Sequence, residues 1–291
     1  MKQLDLLRER LSDRDIAILR DVELFRLLTT RQLRRLHFTT GHQTIDAATR
    51  ACTRVLKRLR DHDLIVPLRR RIGGVRQGSA GLTWQLDTMG ERLLRYLSQQ
   101  GHRRRYREPS KQFIDHTLAV AGLGVDLREA EERGRIELVE LAVEGTAYRS
   151  FVGAHGAKET LKPDLHAITA TEDFESHWLI EADRGSEHSP HLLRKLNAYY
   201  RYLKTGRYQA EHGLFPSVLW VVPDDARRSE LATLIGSEPL PQDLFQICTF
   251  DGFIDFVIAK TLGVESLPLP GVLDSTMTGP PQQAINTNCP A

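Results

Sequence analysis

The sequence predicts a mixed α/β protein, α+β overall, whose two parts differ in charge. Residues 1–110 contain 24 Lys and Arg, mostly Arg, against 12 Asp and Glu, whereas the rest of the chain contains 16 against 26. Helical periodicity dominates the first part, and strand-like apolar runs alternate with helices in the second. A basic part suits phosphate contact and an acidic part suits divalent cations, although ordinary solvated charge is the alternative. We therefore expect two domains.

Three helices in succession are predicted in the first part. Ser12 is a typical N-cap for a helix whose apolar stripe runs from Ile16 to Leu28. Thr29-Thr30 precede a short helix that ends at Phe38, and residues 44–60 form the third helix.

A basic, glycine-rich hairpin follows the third helix. A strand over residues 64–68 leads into the segment 69–78, and a second strand, Leu82–Leu86, returns before a helix from Thr88 to Leu97. Three helices and such a hairpin predict a winged helix-turn-helix over residues 1–98. Its third helix would enter the major groove, and its wing would contact phosphates or the minor groove. The predicted DNA-binding residues are Thr49, Arg50 and Arg54 on the helix and Arg69, Arg70, Arg71 and Arg76 on the wing. The alternative is that this unit mediates protein contact or dimerisation.

Residues 99–112 lack apolar periodicity and are predicted to be a basic linker. A second domain is predicted over residues 113–266, and the Pro-, Gly-, Thr- and Gln-rich residues 267–291 are predicted to be disordered. The second domain begins with a helix from Phe113 to Arg133. The later elements are strands over 135–143, 161–170 and 176–183, a helix over 189–203, a buried strand over 216–222, a helix over 225–235 and a strand over 244–250. The order αβββαβ is that of a restriction-endonuclease-like core.

Acidic residues fall on two neighbouring strands of this core. Asp164 lies in Lys-Pro-Asp, and Glu181 and Asp183 lie in Glu-Ala-Asp at the end of the next strand. We predict that these three carboxylates bind Mg²⁺ or Mn²⁺, because hard cations prefer oxygen ligands. Lys195 on the following helix would supply positive charge near the attacked phosphate, and His116 on the first core helix would face the site. The alternatives are a turn-capping Asp164, strand-end salt bridges, a packed histidine and a solvated lysine.

The three cysteines, Cys52, Cys248 and Cys289, have neither zinc-finger nor disulfide-framework spacing. The sequence shows no signal-peptide pattern and no apolar run of transmembrane length. We therefore expect a cytoplasmic protein that does not contact membranes.

Two groups of motifs resemble the replication-relaxation family of plasmids and integrative elements. They are Ser12-Asp13-Arg14-Asp15 with Leu27-Leu28-Thr29-Thr30-Arg31-Gln32-Leu33, and Lys162-Pro163-Asp164-Leu165 with Ile180-Glu181-Ala182-Asp183-Arg184-Gly185-Ser186-Glu187 and Lys195-Leu196-Asn197-Ala198-Tyr199. The resemblance spans about residues 10–225. That family is similar to the MOB-C class of relaxases, which nick DNA at a transfer origin. The resemblance implies acidic ligands at Asp164, Glu181 and Asp183, a basic residue at Lys195 and a histidine at His116.

The function expected from these observations is metal-dependent nicking of double-stranded DNA at a plasmid or mobile-element origin. The alternative is a non-catalytic winged-helix regulator or replication accessory whose nuclease-like core is a scaffold. An adaptor that binds a basic partner is the third reading. Homodimerisation is compatible with each of them.

Overall fold

The computed structural model describes residues 2–68, 81–99, 110–153 and 156–263, and these residues confirm the mixed α/β, α+β class. The wing arginines Arg69, Arg70, Arg71 and Arg76 lie outside the described residues, as do most of the predicted linker and the predicted disordered tail. No described helix combines the length and the apolar character needed to cross a membrane.

The described residues of the first part, 2–68 and 81–99, form helices and a small sheet. The helices are α1 (Lys2–Glu9), α2 (Asp13–Phe25), α3 (Thr30–His37), α4 (Ile45–Asp61) and α5 (Thr88–Ser98). The strands are β1 (Leu28–Thr29), β2 (Ile65–Pro67) and β3 (Thr83–Leu86), which pair antiparallel in the order β1-β3-β2.

Reciprocal capping hydrogen bonds start α2 and α3. The Ser12 hydroxyl accepts the N–H of Asp15 at 3.2 Å, and the Asp15 carboxylate accepts the N–H of Ser12 at 2.9 Å. Thr29 and Gln32 make the same pair of bonds at 3.1 and 2.9 Å. Each reciprocal pair of hydrogen bonds is a capping box. Because it satisfies two backbone N–H donors, it fixes the residue at which the helix begins. Thr29 is also the last residue of β1, so the chain passes directly from strand into α3.

The second part surrounds a five-stranded mixed sheet with the order β10-β9-β8-β7-β4. Its strands are β4 (Glu137–Val143), β7 (Leu165–Ala170), β8 (Glu175–Ala182), β9 (Ser217–Val222) and β10 (Phe245–Thr249), while β5 (Arg149–Val152) and β6 (Lys158–Leu161) form a separate hairpin. The helices are α6 (Lys111–Glu132), α7 (Ser189–Lys204), α8 (Arg207–His212), α9 (Asp225–Gly236) and α10 (Phe253–Thr261). β7 is antiparallel to both of its neighbours, β4 and β8, whereas β8, β9 and β10 run parallel.

The two faces of the sheet are covered by different helices. Trp178 and Ile180 of β8 pack in the core that contains α6 and α10, whereas Leu179 packs with α7, α8 and α9. Because side chains alternate along a strand, Glu181 shares the face of Leu179. The helices α6 and α7 therefore approach the end of β8 from opposite faces of the sheet.

The helices α2 and α3 pack directly on α6. The Arg35 guanidinium binds Glu129 with two hydrogen bonds of 2.8 and 2.6 Å and Asp126 with one of 2.7 Å. The Gln32 amide donates to the carbonyl of Leu118 at 3.1 Å. Buried apolar residues from both parts also form one continuous core cluster.

Most predicted elements are present, but the strand predicted over residues 161–170 is interrupted. β6 ends at Leu161 and β7 begins at Leu165. Pro163 explains the break because proline has no backbone N–H to donate to a ladder. The β5–β6 hairpin and the helices α1, α8 and α10 were not among the sequence predictions.

Candidate active site

Asp164 is fixed immediately before β7. Its Oδ2 accepts the backbone N–H of Ala182 at 2.8 Å, and its own N–H donates to the carbonyl of Ile180 at 3.1 Å. The other oxygen, Oδ1, lies 3.0 Å from Nε2 of His116 on α6. The break before β7 thus places this carboxylate between the end of β8 and His116 of α6.

Glu181 is a buried carboxylate, 2% exposed, on β8. Its Oε2 accepts from Lys195 Nζ at 2.9 Å, and its Oε1 accepts from the Tyr199 hydroxyl at 2.6 Å. Lys195 and Tyr199 are four residues apart on α7, so they project from the same face of that helix. The pKa of Glu181 is raised to about 7, mainly by burial; Lys195 opposes this shift and the negative charge of Asp164 adds to it.

Lys195 is held as a cation between two carboxylates. Besides Glu181, it donates to Glu187 Oε1 at 2.9 Å, and its ammonium lies 5.4 Å from the ring centroid of Trp220. Burial alone would lower the pKa of Lys195, but the charges of Glu181 and Glu187 outweigh it and hold that pKa above its usual range.

His116 is bound to the first carboxylate. The hydrogen bond to Asp164 raises the pKa of His116 above its ordinary value, although partial burial acts in the opposite direction. The imidazole side chain remains 33% exposed, so it can reach a substrate. The structure therefore brings together four of the five predicted site residues as two pairs, His116 with Asp164 and Lys195 with Glu181.

Asp183, the fifth predicted site residue, is engaged elsewhere. Its Oδ2 accepts from Arg227 Nε on α9 at 2.7 Å, and its Oδ1 accepts the N–H of Gly185 at 2.7 Å. The Asp183 side chain is fully buried in this ion pair. The sequence did not indicate this partner, because Arg227 lies 44 residues further along the chain on α9.

Several residues around the two pairs were not assigned by the sequence. Tyr199 is buried, and its hydroxyl donates to Glu181. Its spacing from Lys195 was the signal for a shared face. Glu187 ends the motif that begins at Ile180, and no role was predicted for it. Glu144 and Tyr148, near the start of β5, carry no sequence motif at all.

The acidic pair, Asp164 with Glu181, offers oxygen ligands for a divalent cation. Among the described residues, no group of three or more His, Cys, Asp or Glu side chains is arranged to hold a metal ion. Mg²⁺, however, is usually bound by one or two protein carboxylates together with waters and substrate phosphates. Two neighbouring carboxylates whose charges act on each other fit that kind of site. Asp183 would add nothing to it while it is bound by Arg227.

The predicted DNA-reading helix presents polar side chains to solvent. Thr49, Arg50 and Arg54 of α4 are all exposed. The Thr49 hydroxyl donates to the carbonyl of Ile45 at 2.7 Å, which leaves its lone pairs outward. The opposite face of α4 is anchored by buried Leu56. The arginines of the predicted wing lie outside the described residues.

Comparison with known families gives one match. A family model described as replication-relaxation matches residues 19–218, more than half of the chain, and this range includes His116, Asp164, Glu181 and Lys195. No curated protein and no solved structure matches the chain.

Proposed function

The chain belongs to the replication-relaxation family, and we propose that it binds duplex DNA at a plasmid or mobile-element origin and nicks one strand. Family membership points to a role in plasmid or mobile-element replication or relaxation. The nicking activity and its similarity to MOB-C relaxases are our proposal. One observation supports it most. The buried carboxylate of Glu181 lies within electrostatic reach of Asp164 and accepts a hydrogen bond from Lys195.

The described side chains divide the work at a phosphodiester. Lys195 supplies a fixed positive charge next to Glu181. This charge would stabilise the negative charge that accumulates on the phosphate during attack. The bond to Asp164 raises the pKa of His116, which favours the protonated imidazole that would donate a proton to the oxygen that leaves phosphorus. Asp164 and Glu181 would hold Mg²⁺ or Mn²⁺, which when bound activates water and neutralises phosphate charge.

We further propose that residues 1–98 are a winged helix that positions the DNA. Support comes from the element order α2-β1-α3-α4-β2-β3 and from the antiparallel sheet of order β1-β3-β2. Arg50 and Arg54 would contact bases or phosphates in the major groove, with Thr49 beside them. Both arginine side chains are exposed, so both are available to DNA.

The test is relaxation of supercoiled plasmid in the presence of Mg²⁺ or Mn²⁺. Wild-type protein is expected to convert plasmid that carries the element's origin to the open circular form, and Glu181→Gln is expected to lose that activity while retaining DNA binding. Glu172→Gln is the matched control, because Glu172 is exposed in the loop between β7 and β8. Equal nicking by Glu181→Gln and Glu172→Gln would overturn the proposed site.

One observation favours the second candidate, a non-catalytic DNA-binding accessory. Each carboxylate oxygen of the acidic pair already has a hydrogen-bonding partner within the chain: Ala182 and His116 for Asp164, and Lys195 and Tyr199 for Glu181. A metal would need to share or displace these partners. Origin binding with no metal-dependent nicking under any condition would favour this candidate.

A further inference from the structure

An exposed tyrosine carries a lysine over its ring and lies near the ion pair between Arg26 and Glu144. Tyr148 is 38% exposed, and Lys162 Nζ lies 5.8 Å from the centroid of its ring. Arg26, at the end of α2, reaches Glu144 with an Nη1–Oε2 distance of 2.7 Å, and its side chain is 40% exposed. We call Tyr148, Lys162 and Arg26 the tyrosine patch.

Short connections tie the tyrosine patch to Asp164. Lys162 precedes Asp164 by two residues, and the N–H of Glu144 donates to the Asp164 carbonyl at 2.9 Å. Burial raises the pKa of the Tyr148 phenol; the charge of Glu144 also raises it, Arg26 lowers it, and Asp164 and Glu181 raise it. The phenol therefore lies within electrostatic reach of both Arg26 and the acidic pair.

The backbone is unusual at both ends of the Arg26–Glu144 ion pair. Arg26 has φ 64° and Glu144 has φ 42°, a region that non-glycine residues rarely adopt. Such conformations persist only where the surroundings enforce them, and they concentrate at ligand-binding and catalytic sites. Here they join the first part of the chain to the loop that supports Asp164.

The chemistry of the site calls for a patch of this kind. Asp164, Glu181 and Glu144 repel a phosphodiester, so a DNA strand that approaches them must be held by nearby cations. Lys162 and Arg26 supply those cations. A partly exposed aromatic ring adds a stacking surface that is useful only for an unpaired base, because the faces of paired bases are already covered by their neighbours.

We infer that the tyrosine patch binds one unpaired nucleotide of the nicked strand, with the base on Tyr148 and the phosphates on Lys162 and Arg26. This inference rests on the proposed function, because it assigns the substrate strand to the same site. It predicts that the strand is unpaired where it enters the site.

Binding of a fluorescein-labelled oligothymidylate to the full chain, measured by anisotropy in EDTA, tests the inference separately from nicking. Tyr148→Ala is expected to weaken binding about tenfold, the usual effect of removing one stacking aromatic. Tyr148→Phe keeps the ring and should bind like wild type. Tyr200→Ala is the matched control, because the Tyr200 ring also lies under a lysine, Lys204, with Nζ 5.5 Å from its centroid on α7. Tyr200→Ala should bind normally.

Two results would overturn the inference. One is equal binding by Tyr148→Ala and Tyr200→Ala, and the other is a loss in Tyr148→Phe as large as in Tyr148→Ala, which would assign the effect to the hydroxyl. If Tyr148→Ala does not fold, Lys162→Gln decides: it should weaken binding and reduce its salt dependence, and unchanged binding would overturn the inference. Because EDTA removes divalent metal, none of these outcomes depends on nicking activity.

Discussion

At the scale of single residues, two partners compensate the buried carboxylate of Glu181. That carboxylate is 2% exposed and is bonded to Lys195 and Tyr199. Removing one partner of a buried ion pair leaves the other charge uncompensated, whereas removing both partners together costs much less. The pair therefore gives a stability test that does not require catalysis.

We expect Lys195→Met to lower the free energy of unfolding by about 2–4 kcal/mol, because Glu181 would remain buried without its cation. The double variant Glu181→Gln/Lys195→Met should recover most of that loss, since a neutral amide can still accept from Tyr199. Urea unfolding of the wild type, both single variants and the double variant measures the coupling. Simple additivity of the two single effects would show that the ion pair does not form in solution.

Sequence patterns indicated four candidate residues that lie in two bonded pairs, but not every partner of those residues or of Asp183. Asp164, Glu181, Lys195 and His116 were predicted from motif order, and the structure places them in two bonded pairs. The partner of Asp183 could not be predicted, because no local pattern links it to a helix forty-four residues away. Partner choice of that kind is decided by the packing of α9 against β9, which the sequence does not display.

At the scale of elements, α6 connects the two parts of the chain. Its first turns carry His116, and its later turns carry Asp126 and Glu129, which bind Arg35 of α3. Close packing reinforces these bonds, because Gly124 of α6 lies against the ring of Phe25 on α2. A Cβ added at Gly124 would lie 2.4 Å from that ring.

Gly124→Ala is accordingly expected to lower the free energy of unfolding by about 1–3 kcal/mol, since the Phe25 ring would have to move. Gly122→Ala on the same helix is the matched control, because its new Cβ would meet only Gln32 Nε2 at 3.9 Å. Alanine favours helix over glycine, so this control should be neutral or more stable by up to about 1 kcal/mol. Thermal and urea unfolding distinguish the two. Equal effects would contradict the packing of α6 on α2.

Capped helices and buried strands were the predictable elements. α2 was predicted from Ser12 and its apolar stripe, and β9 from its continuous apolar run. The β5–β6 hairpin was not predicted, because its four-residue strands pair only with each other and bury only Phe151 and Leu161. That hairpin matters for function, since it leads from Tyr148 into Lys162 and Asp164.

At the scale of the whole molecule, a basic part and an acidic part share one continuous hydrophobic core. A basic first part and an acidic second part were apparent from composition. The structure adds that buried residues of both parts share one core cluster and that Arg35 bridges them. DNA bound by α4 would therefore lie at a fixed offset from the acidic pair.

The measurement that tests the central claim most directly is primer-extension mapping of breaks on both strands of origin DNA after incubation with the protein and Mg²⁺ or Mn²⁺. The account predicts one break, on one strand, at a constant distance from the bound sequence. It also predicts that Glu181→Gln abolishes that break while footprinting shows the origin still occupied. Breaks scattered over both strands, or a single break that persists in Glu181→Gln, would contradict it.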